Sequence, residues 1–373
     1  MLNRRQFVAS SVALGLGSAL GLVSGAEESK TGRPKPIVLH QTDLFHPHMD
    51  PDDHFDLATI FALAALDAVD LRGLILDYPP DFHRASPAVG AVAQMSRTTG
   101  VAAPIVVGGN ARFSKRGDAC SDLPKSESLA IDFIVDQLER AESPVRVIIA
   151  GSATDVAVAS SRRPELFREK CAGVYLNAGS AFPKPDEPDR LEYHVELNPA
   201  AYATMFDLPC PLCWFPCWHN VLDWKSGENS SFYFLEHADA FRGVSDALCG
   251  FFAYMFSETN DVDWLKGLEK PSDDVWNGVL AGRRAMWCTA SLLLLADKSV
   301  SKDGEIVERT DEFEQSADAL FKMEYIDVSC DDAGRTTWKY ADRETNRKII
   351  RVLDVDAYPK AMAKAINTLF RSI

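Results

Sequence analysis

Residues 42–56 read TDLFHPHMDPDDHFD, which places five carboxylates and three imidazoles in one short segment. The apolar run before it, at residues 37–39, has the pattern of a buried strand, and residues 57–64 after it have the pattern of an apolar helix. The acidic residues therefore follow the carboxyl end of a strand, which is where ligands bind in an open α/β sheet.

Carboxylates crowded into one loop repel one another, and a hard cation with oxygen ligands would relieve that repulsion. An alternative is helix capping by Asp52 or Asp53, since a carboxylate accepts hydrogen bonds from the free amides of a first helical turn. Capping would need only one of these acids. The loop therefore predicts a metal or catalytic site.

The first 26 residues have the pattern of a twin-arginine export signal. Arg4 and Arg5 precede an apolar, glycine-rich run at residues 8–23, and small residues follow up to Ala26. The run is shorter than the roughly 20 continuous apolar residues that a membrane-spanning helix needs. We expect cleavage near Ala26, a bacterial periplasmic location, and one mature domain over residues 27–373 without a membrane anchor.

The formal charge of the chain is −15, and the basic clusters that a nucleic acid or an anionic membrane would require are missing. The eight cysteines are spread along the chain. Cys210, Cys213 and Cys217 are close enough in sequence to suggest a metal site. The apolar, proline-flanked segment around them instead favours a buried strand in which cysteine serves as a small apolar residue.

Strand-like and helix-like segments alternate along the chain up to Cys217. This alternation predicts an α/β fold with a Rossmann-like, open, mostly parallel sheet flanked by helices. Beyond Cys217 the pattern favours two long helices, which we expect to cap the open edge of the sheet, then a pair of strands and a final helix. These later elements are predicted at residues 232–256, 274–295, 323–328, 348–355 and 357–369.

Two turns at predicted strand ends carry small or polar residues, AGSATD at residues 150–155 and NAGS at residues 177–180. Small residues let a backbone approach a ligand closely, and exposed carbonyl groups can bind a cation. Such turns are common in α/β proteins. Together with the acidic loop they outline one pocket.

The acidic loop, which ends in a paired Asp-Asp before a helix, resembles the signature of the inosine–uridine-preferring nucleoside hydrolases. Asp43 and the pair Asp52 and Asp53 stand in the matching positions. The resemblance extends over nearly all of the mature chain. Other similar segments are AGSATDVA at residues 150–157, VYLNAG at 174–179, EYH at 192–194, NPAA at 198–201 and RVLDVD at 351–356.

The resemblance implies a calcium-dependent N-ribohydrolase that acts on a small ribosyl compound. In such an enzyme Ca²⁺ binds the attacking water and the ribose hydroxyls, an aspartate takes the proton, and the bond breaks through an oxocarbenium-like state. Carried over by position, the calcium ligands are Asp43, Asp53 and the backbone carbonyl of Ala150, the general base is Asp52, and the ribose-binding residues are Asn177, Glu192 and His194.

Three features of the sequence differ from that family pattern. Residues 78–80, YPP, stand where the family usually carries Gly-Asn. Asp50 precedes a proline and competes with Asp43 for the first ligand position. Residues 285–289, AMWCT, stand where the family carries a late His-Asp pair. Either another acid such as Asp50 or Asp56 completes the calcium shell, or the metal binds more weakly or not at all. Without an acid for the leaving group, we expect substrates with readily departing leaving groups to be cleaved best.

Two other interpretations stay open. The chain is a hydrolase of another glycoside on the same fold, or a periplasmic calcium- or sugar-binding protein without activity. Asp52 separates the first from the second, because a pure binding protein has no use for a general base. The oligomeric state is also open and includes a homo-oligomer.

Overall fold

The computed structural model describes residues 34–79, 85–110, 114–182, 191–219, 224–259, 261 and 263–373. The predicted export signal at residues 1–26 therefore lies outside the described residues. Lys35–Ile373 forms one compact unit. Within the described part of the chain, no helix is long and apolar enough to cross a membrane.

The strands of the described residues are numbered in chain order. They are β1 (Ile37–Thr42), β2 (Phe45–His46), β3 (Asp70–Leu76), β4 (Ser86–Pro87), β5 (Ile105–Val107), β6 (Val145–Ala150), β7 (Cys171–Asn177), β8 (Leu212–Phe215), β9 (Tyr233–Glu236), β10 (Arg283–Met286), β11 (Lys298–Val300), β12 (Ile306–Glu308), β13 (Phe321–Cys330), β14 (Thr336–Tyr340) and β15 (Arg347–Val352).

Nine of these strands form the central sheet, in the order β14-β13-β15-β8-β7-β6-β1-β3-β5. Neighbouring strands from β15 to β5 are parallel, whereas β13 runs antiparallel to both β15 and β14. The predicted Rossmann-like, mostly parallel sheet is confirmed. The predicted pair of late strands corresponds to β13 and β15, and β14 extends it to the edge.

The α-helices of the described residues follow the same order. They are α1 (Asp52–Ala65), α2 (Val89–Thr99), α3 (Leu129–Arg140), α4 (Thr154–Arg162), α5 (Pro164–Lys170), α6 (Tyr193–Leu197), α7 (Pro199–Met205), α8 (His237–Ala240), α9 (Asp246–Ser257), α10 (Asp273–Leu280), α11 (Thr289–Leu295), α12 (Asp311–Glu314) and α13 (Tyr358–Phe370). Two short 3₁₀ helices cover Lys125–Glu127 and Trp264–Leu268.

Helices cover both faces of the sheet, because successive strand side chains point to opposite faces and both sets are apolar. In β6, Ile148 and Ala150 pack into the core formed with α1, α2, α9, α11 and α13. Val147 and Ile149 pack into the core formed with α3, α4, α5 and α7. The central strands are therefore buried on both faces, and their carboxyl ends are the open positions.

The two long helices predicted beyond Cys217 are wrong in their extent. Residues 232–256 contain β9, α8 and α9, because the aromatic run before Glu236 pairs with β10 and Gly243 leaves the helical region with a φ of +71°. Residues 274–295 contain α10, β10 and α11. The second predicted helix is interrupted at Gly282, where an added Cβ would lie 2.8 Å from the His237 ring.

Candidate functional site

A cavity of about 410 Å³ opens at the carboxyl ends of the central strands. Asp43 follows β1, Ala150 ends β6 and Cys217 lies just after β8, and all three line the cavity. Asp52 and Asp53, the first residues of α1, line it as well. The topology therefore joins the acidic loop and the small-residue turn after β6 in one pocket.

Asp43 is buried at the end of β1, with 6% of its surface exposed. Its backbone N–H donates to the Ala150 carbonyl at 3.3 Å, which ties the loop to β6. Its Oδ1 atom is buried without a hydrogen-bond partner, and its Oδ2 atom lies 3.5 Å from Nε2 of His194. A buried carboxylate oxygen without a partner is unfavourable unless a cation or a ligand binds it.

Helix α1 presents three buried carboxyl groups, Asp52, Asp53 and Asp56. Pro51 occupies the N-cap position, and no side chain makes a capping hydrogen bond there, so capping does not explain the Asp52–Asp53 pair. Thr42 Oγ1 donates to Asp53 at 3.3 Å. Both carboxyl oxygens of Asp56 are buried without a hydrogen-bond partner.

The crowding and burial of this cluster raise the pKa values of its carboxyl groups. Burial raises the pKa of Asp52 and of Asp53 well above the ordinary value, and neighbouring carboxylates add to the rise. Burial also raises the pKa of Asp56 to about 7, although the neighbouring Cys288 thiol offsets part of that rise. A nearby positive charge would lower all three pKa values, because it stabilises the ionised form.

Asp50 differs from Asp43 in its surroundings. Its Oδ1 atom accepts a hydrogen bond from Arg284 at 2.8 Å, and 42% of its side chain is exposed, against 8% for Asp43. Asp50 therefore already has a cationic partner, whereas Asp43 has a free buried oxygen. Of the two acids, Asp43 is the better candidate for a cation ligand.

Glu192 and His194 lie together at the start of α6 and line the same cavity. Glu192 is the N-cap residue, and its two carboxylate oxygens accept the backbone N–H groups of His194 at 3.1 Å and Gly179 at 2.7 Å. The Nδ1–H group of His194 donates to the Asn177 carbonyl at 2.9 Å. Burial alone would lower the pKa of His194, but Glu192 and Asp43 raise it well above its ordinary value.

The side chain of Asn177 lies away from the cavity, unlike the expected position in a ribose pocket. It is fully buried, its Nδ2 atom donates to the Ile149 carbonyl at 3.0 Å, and its Oδ1 atom accepts a hydrogen bond from Ser291 at 2.7 Å. Both ends of the amide are thus engaged in the core. Asn177 contacts the cavity-lining residue His194 through its backbone carbonyl.

Asp77 is a buried acid beside the site that the sequence analysis did not single out. It follows β3 and accepts hydrogen bonds from Gln41 at 2.8 Å and from the Ser152 backbone at 2.6 Å. Burial, followed by the charge of Asp43, raises its pKa to about 8. Its position directly after an apolar strand was the sequence feature that could have identified it as a candidate site residue. Asp77 holds the turn at Gly151 against the Asp43 loop.

Among the described residues, the ligand atoms of Glu192, His194 and Cys217 lie within 4.8 Å of one another and form the one group of three with the spacing of a metal site. This set suits a softer ion such as zinc. However, both carboxylate oxygens of Glu192 already accept backbone N–H groups, and Nδ1 of His194 donates to the Asn177 carbonyl. The carboxylate oxygens of Asp43 and Asp53 instead suit a hard cation such as calcium.

The predicted buried strand around the three cysteines is confirmed as β8, which contains Cys213. Cys210 precedes this strand and is buried. Cys217 follows it and reaches the cavity. The three thiols therefore lie at separate places in the described structure and do not form a three-cysteine metal site.

Three tryptophans form one wall of the cavity, a feature that the sequence analysis did not locate. Trp218, Trp224 and Trp287 line the cavity, and their ring centroids lie 4.5 to 6.3 Å apart. Trp214, by contrast, is fully buried in the core. Trp287 lies at the junction of β10 and α11. The sequence pattern had predicted one long helix across this junction.

No family model matches the sequence, and no curated protein matches it. Solved structures match in shape. The plant nucleoside hydrolase PpNRh1 matches with a TM-score of 0.51 and 13% identity over 90% of this chain and 99% of that chain. The effector protein XOO4466 matches with a TM-score of 0.50 and 13% identity over 91% of this chain and 95% of that chain.

An inosine–uridine-preferring nucleoside hydrolase from Bacillus anthracis matches with a TM-score of 0.49 and 16% identity, covering 91% of this chain and 100% of that chain. At such identities a structural match shows a shared fold, since one fold supports many functions. The chain therefore has the α/β fold that the plant nucleoside hydrolase also has, over nearly the whole length of that protein.

Proposed function

We propose that the protein hydrolyses the glycosidic bond of a ribosyl compound, with Asp52 as the general base. One observation carries this proposal. The buried carboxyl group of Asp52 opens into the same cavity as Asp43, Glu192 and His194, at the carboxyl ends of a parallel sheet. Ligands bind at this position in open α/β sheets.

Two further facts support the proposal. The plant protein that shares this fold is a nucleoside hydrolase, and the sequence resemblance at residues 42–56 points to the same chemistry. A cavity of about 410 Å³ also has the size of a small-molecule site. We propose in addition that the protein is exported to the periplasm, which the sequence pattern at residues 1–26 supports.

We propose a calcium ion as the cofactor. The residues fit a hard cation, because Asp43 has a buried oxygen without a partner and Asp53 supplies a second carboxylate on the same cavity. The Ala150 carbonyl, which also faces the Asp43 loop, would be a third oxygen ligand. When bound, calcium supplies positive charge that favours ionised carboxylates and the loss of a proton from water.

In the proposed reaction, Asp52 accepts a proton from the water molecule that attacks the anomeric carbon. The glycosidic bond breaks, and its electron pair leaves with the aglycone. The Asp52 carboxyl group lines the cavity, so its ionised form can take a proton from a water molecule bound there. Glu192 and His194 provide the fixed polar groups that a sugar with several hydroxyls requires.

The experiment is hydrolysis of p-nitrophenyl riboside by the purified protein and by Asp52→Asn. We expect the wild type to release nitrophenol and the variant to be at least about a hundredfold slower, because it lacks the base. Asp246→Asn is the matched control, since Asp246 is the first residue of α9 and is exposed. Calcium binding, measured by calorimetry, should be largely retained in both variants.

A different result would decide among the alternatives. Equal rates for Asp52→Asn and the wild type would show that another group is the base. If the wild type cleaves neither p-nitrophenyl riboside nor a panel of other p-nitrophenyl glycosides, while still binding calcium, the binding-protein interpretation would replace this proposal.

A further inference from the structure

Two cysteines meet at the amino ends of two neighbouring strands, at the edge of the sheet opposite to the cavity. Cys171 begins β7, and Cys210 lies shortly before β8. The Cys171 thiol hydrogen-bonds to the Cys210 thiol. Both residues are buried in the same apolar core, and both are free thiols in the structure. The two sulfur atoms are therefore in contact and shielded from solvent.

The backbone spacing suits a covalent bond between these sulfurs. Val174 pairs with Leu212 in the parallel ladder of β7 and β8, and the Val174 N–H group donates to the Pro211 carbonyl at 2.9 Å. By this register, Cys171 stands one position from the residue opposite Cys210. Strands about 4.8 Å apart with a rise of about 3.3 Å per residue then place the two Cα atoms about 6 Å apart. This separation is typical of a disulfide.

The nearby cysteine on β8 does not compete for this contact. Cys213 packs against the core on the other face of the sheet, whereas Cys171 and Cys210 belong to the core formed with α3, α4, α5 and α7. Within the described structure, the sheet therefore separates Cys213 from the pair.

The surroundings of the pair favour one thiol as the nucleophile. The hydrogen bond from Cys171 lowers the pKa of Cys210, burial offsets part of the fall, and the Arg347 guanidinium adds to it. Arg347 also donates to the Cys210 carbonyl at 3.0 Å, so its charge is held beside this cysteine. Because the thiolate is the reactive form of cysteine, Cys210 is the better attacking group.

We propose that Cys171 and Cys210 form a disulfide when the protein meets a disulfide oxidant, such as a thiol–disulfide oxidoreductase of an oxidising compartment. The bond closes residues 171–210 into a loop, and this segment carries Glu192 and His194. The disulfide thus joins the two ends of the segment that presents these side chains to the cavity. The inference goes beyond the proposed hydrolase function and does not depend on it.

The bond forms by thiol–disulfide exchange. The Cys210 thiolate attacks one sulfur of the oxidant, and the other sulfur of the oxidant leaves as a thiolate. The Cys171 thiolate then attacks the Cys210 sulfur and releases the second half of the oxidant. The cysteine pair loses two electrons, the oxidant gains them, and the two protons of the pair end on the two released thiols. Because both cysteines are buried, the exchange takes place while the chain is unfolded or locally open.

The first test is refolding of the urea-unfolded protein in a buffer of reduced and oxidised glutathione. Free thiols are then alkylated, and the protein is digested without a reductant. Mass spectrometry should find a peptide that joins Cys171 to Cys210 in most of the molecules. Cys213→Ala is the matched control and should keep this cross-link, whereas Cys171→Ala should leave Cys210 alkylated.

Alkylation of both Cys171 and Cys210 in the refolded wild type would overturn the inference. A cross-link from Cys210 to Cys213 as the main product would also overturn it, since the register of β7 and β8 would then not select the partner.

The second test is thermal unfolding of the refolded protein with and without dithiothreitol. The reductant should lower the melting temperature of the wild type by at least about 3 °C, because a cross-link that closes a loop of about 40 residues restricts the unfolded chain. Cys171→Ala should melt at the same temperature in both buffers. Each protein is compared with itself, so a loss of stability from the substitution does not affect the result.

An unchanged melting temperature of the wild type would overturn the inference, and so would an equal effect of the reductant on Cys171→Ala. Neither test measures hydrolysis. A protein that forms the cross-link but cleaves no glycoside would therefore support this inference and count against the proposed hydrolase function alone.

Discussion

The Nε2 atom of His194 lies 3.5 Å from the Oδ2 atom of Asp43. Nδ1 of the same ring donates to the Asn177 carbonyl, so both nitrogens face acceptors and the protonated ring is favoured. The imidazolium offsets part of the negative charge that the folded chain concentrates around Asp43. A cation bound by Asp43 would repel that imidazolium, which couples metal binding to His194.

The Asp53 side chain is expected to be needed for calcium binding. Asp53→Asn should weaken the affinity by at least about tenfold, because it removes the charge of one of two carboxylates in the set. Isothermal titration calorimetry against calcium, with Asp246→Asn as the control, measures this. An unchanged affinity in the Asp53 variant would refute the ligand assignment.

His194 is expected to stabilise the calcium-free protein. His194→Gln should lower the free energy of unfolding by about 1–3 kcal/mol, because Glu192 and Asp43 lose a charged partner in a buried place. Urea denaturation with and without saturating calcium measures this, and the loss should be smaller with calcium. His219→Gln, at an exposed position, should change neither value. An equal loss of unfolding free energy with and without calcium would show that calcium and His194 do not both act on the charge of Asp43.

Gly151 is expected to tolerate no side chain, because an added Cβ would lie 2.7 Å from the backbone nitrogen of Asp43 and would also touch the Asp77 carboxyl group. Gly151→Ala should displace the Asp43 loop and weaken calcium binding by at least about tenfold. The control is Gly278→Ala on α10, where no atom lies within 4 Å of the added Cβ. That variant should gain about 0.5–1 kcal/mol in stability and bind calcium normally.

If Gly151→Ala binds calcium as well as Gly278→Ala does, then the turn after β6 does not position Asp43. Calorimetry and urea denaturation on the same two preparations give both readouts.

Asp155 is expected to make stability depend on pH. Burial raises its pKa to about 7 in the folded protein, although the Gly109 N–H group offsets part of the rise. The folded state then holds a proton that the unfolded state loses above about pH 4. This contribution to stability is complete below pH 4 and is lost as the pH rises through 7, by at most about 4 kcal/mol.

Asp155→Asn should therefore flatten the fall in unfolding free energy between pH 5 and 8, measured by urea denaturation at each pH. Asp274→Asn, at an exposed position on α10, should leave the slope as in the wild type. A wild-type slope in Asp155→Asn would mean that this carboxyl group is ionised in the folded state at pH 5.

The sequence alone was sufficient for the parts of the fold that adjacent residues specify. The apolar run of β1, the acidic loop and the helix α1 follow from hydrophobic patterns within a few tens of residues, and so does the parallel sheet. The helix boundaries predicted beyond Cys217 are wrong. The run before Glu236 is apolar enough for a helix, and it forms a strand because β10 pairs with it.

Only the tertiary structure decided how distant segments share the cavity. It turned the Asn177 side chain into the core, because Ile149 and Ser291 satisfy its amide, and it placed His194 against Asp43. It also brought Trp287 from the β10–α11 junction to Trp218 and Trp224. Local sequence fixes which residues end a strand or start a helix, whereas the packing of whole elements fixes which side chains face one another.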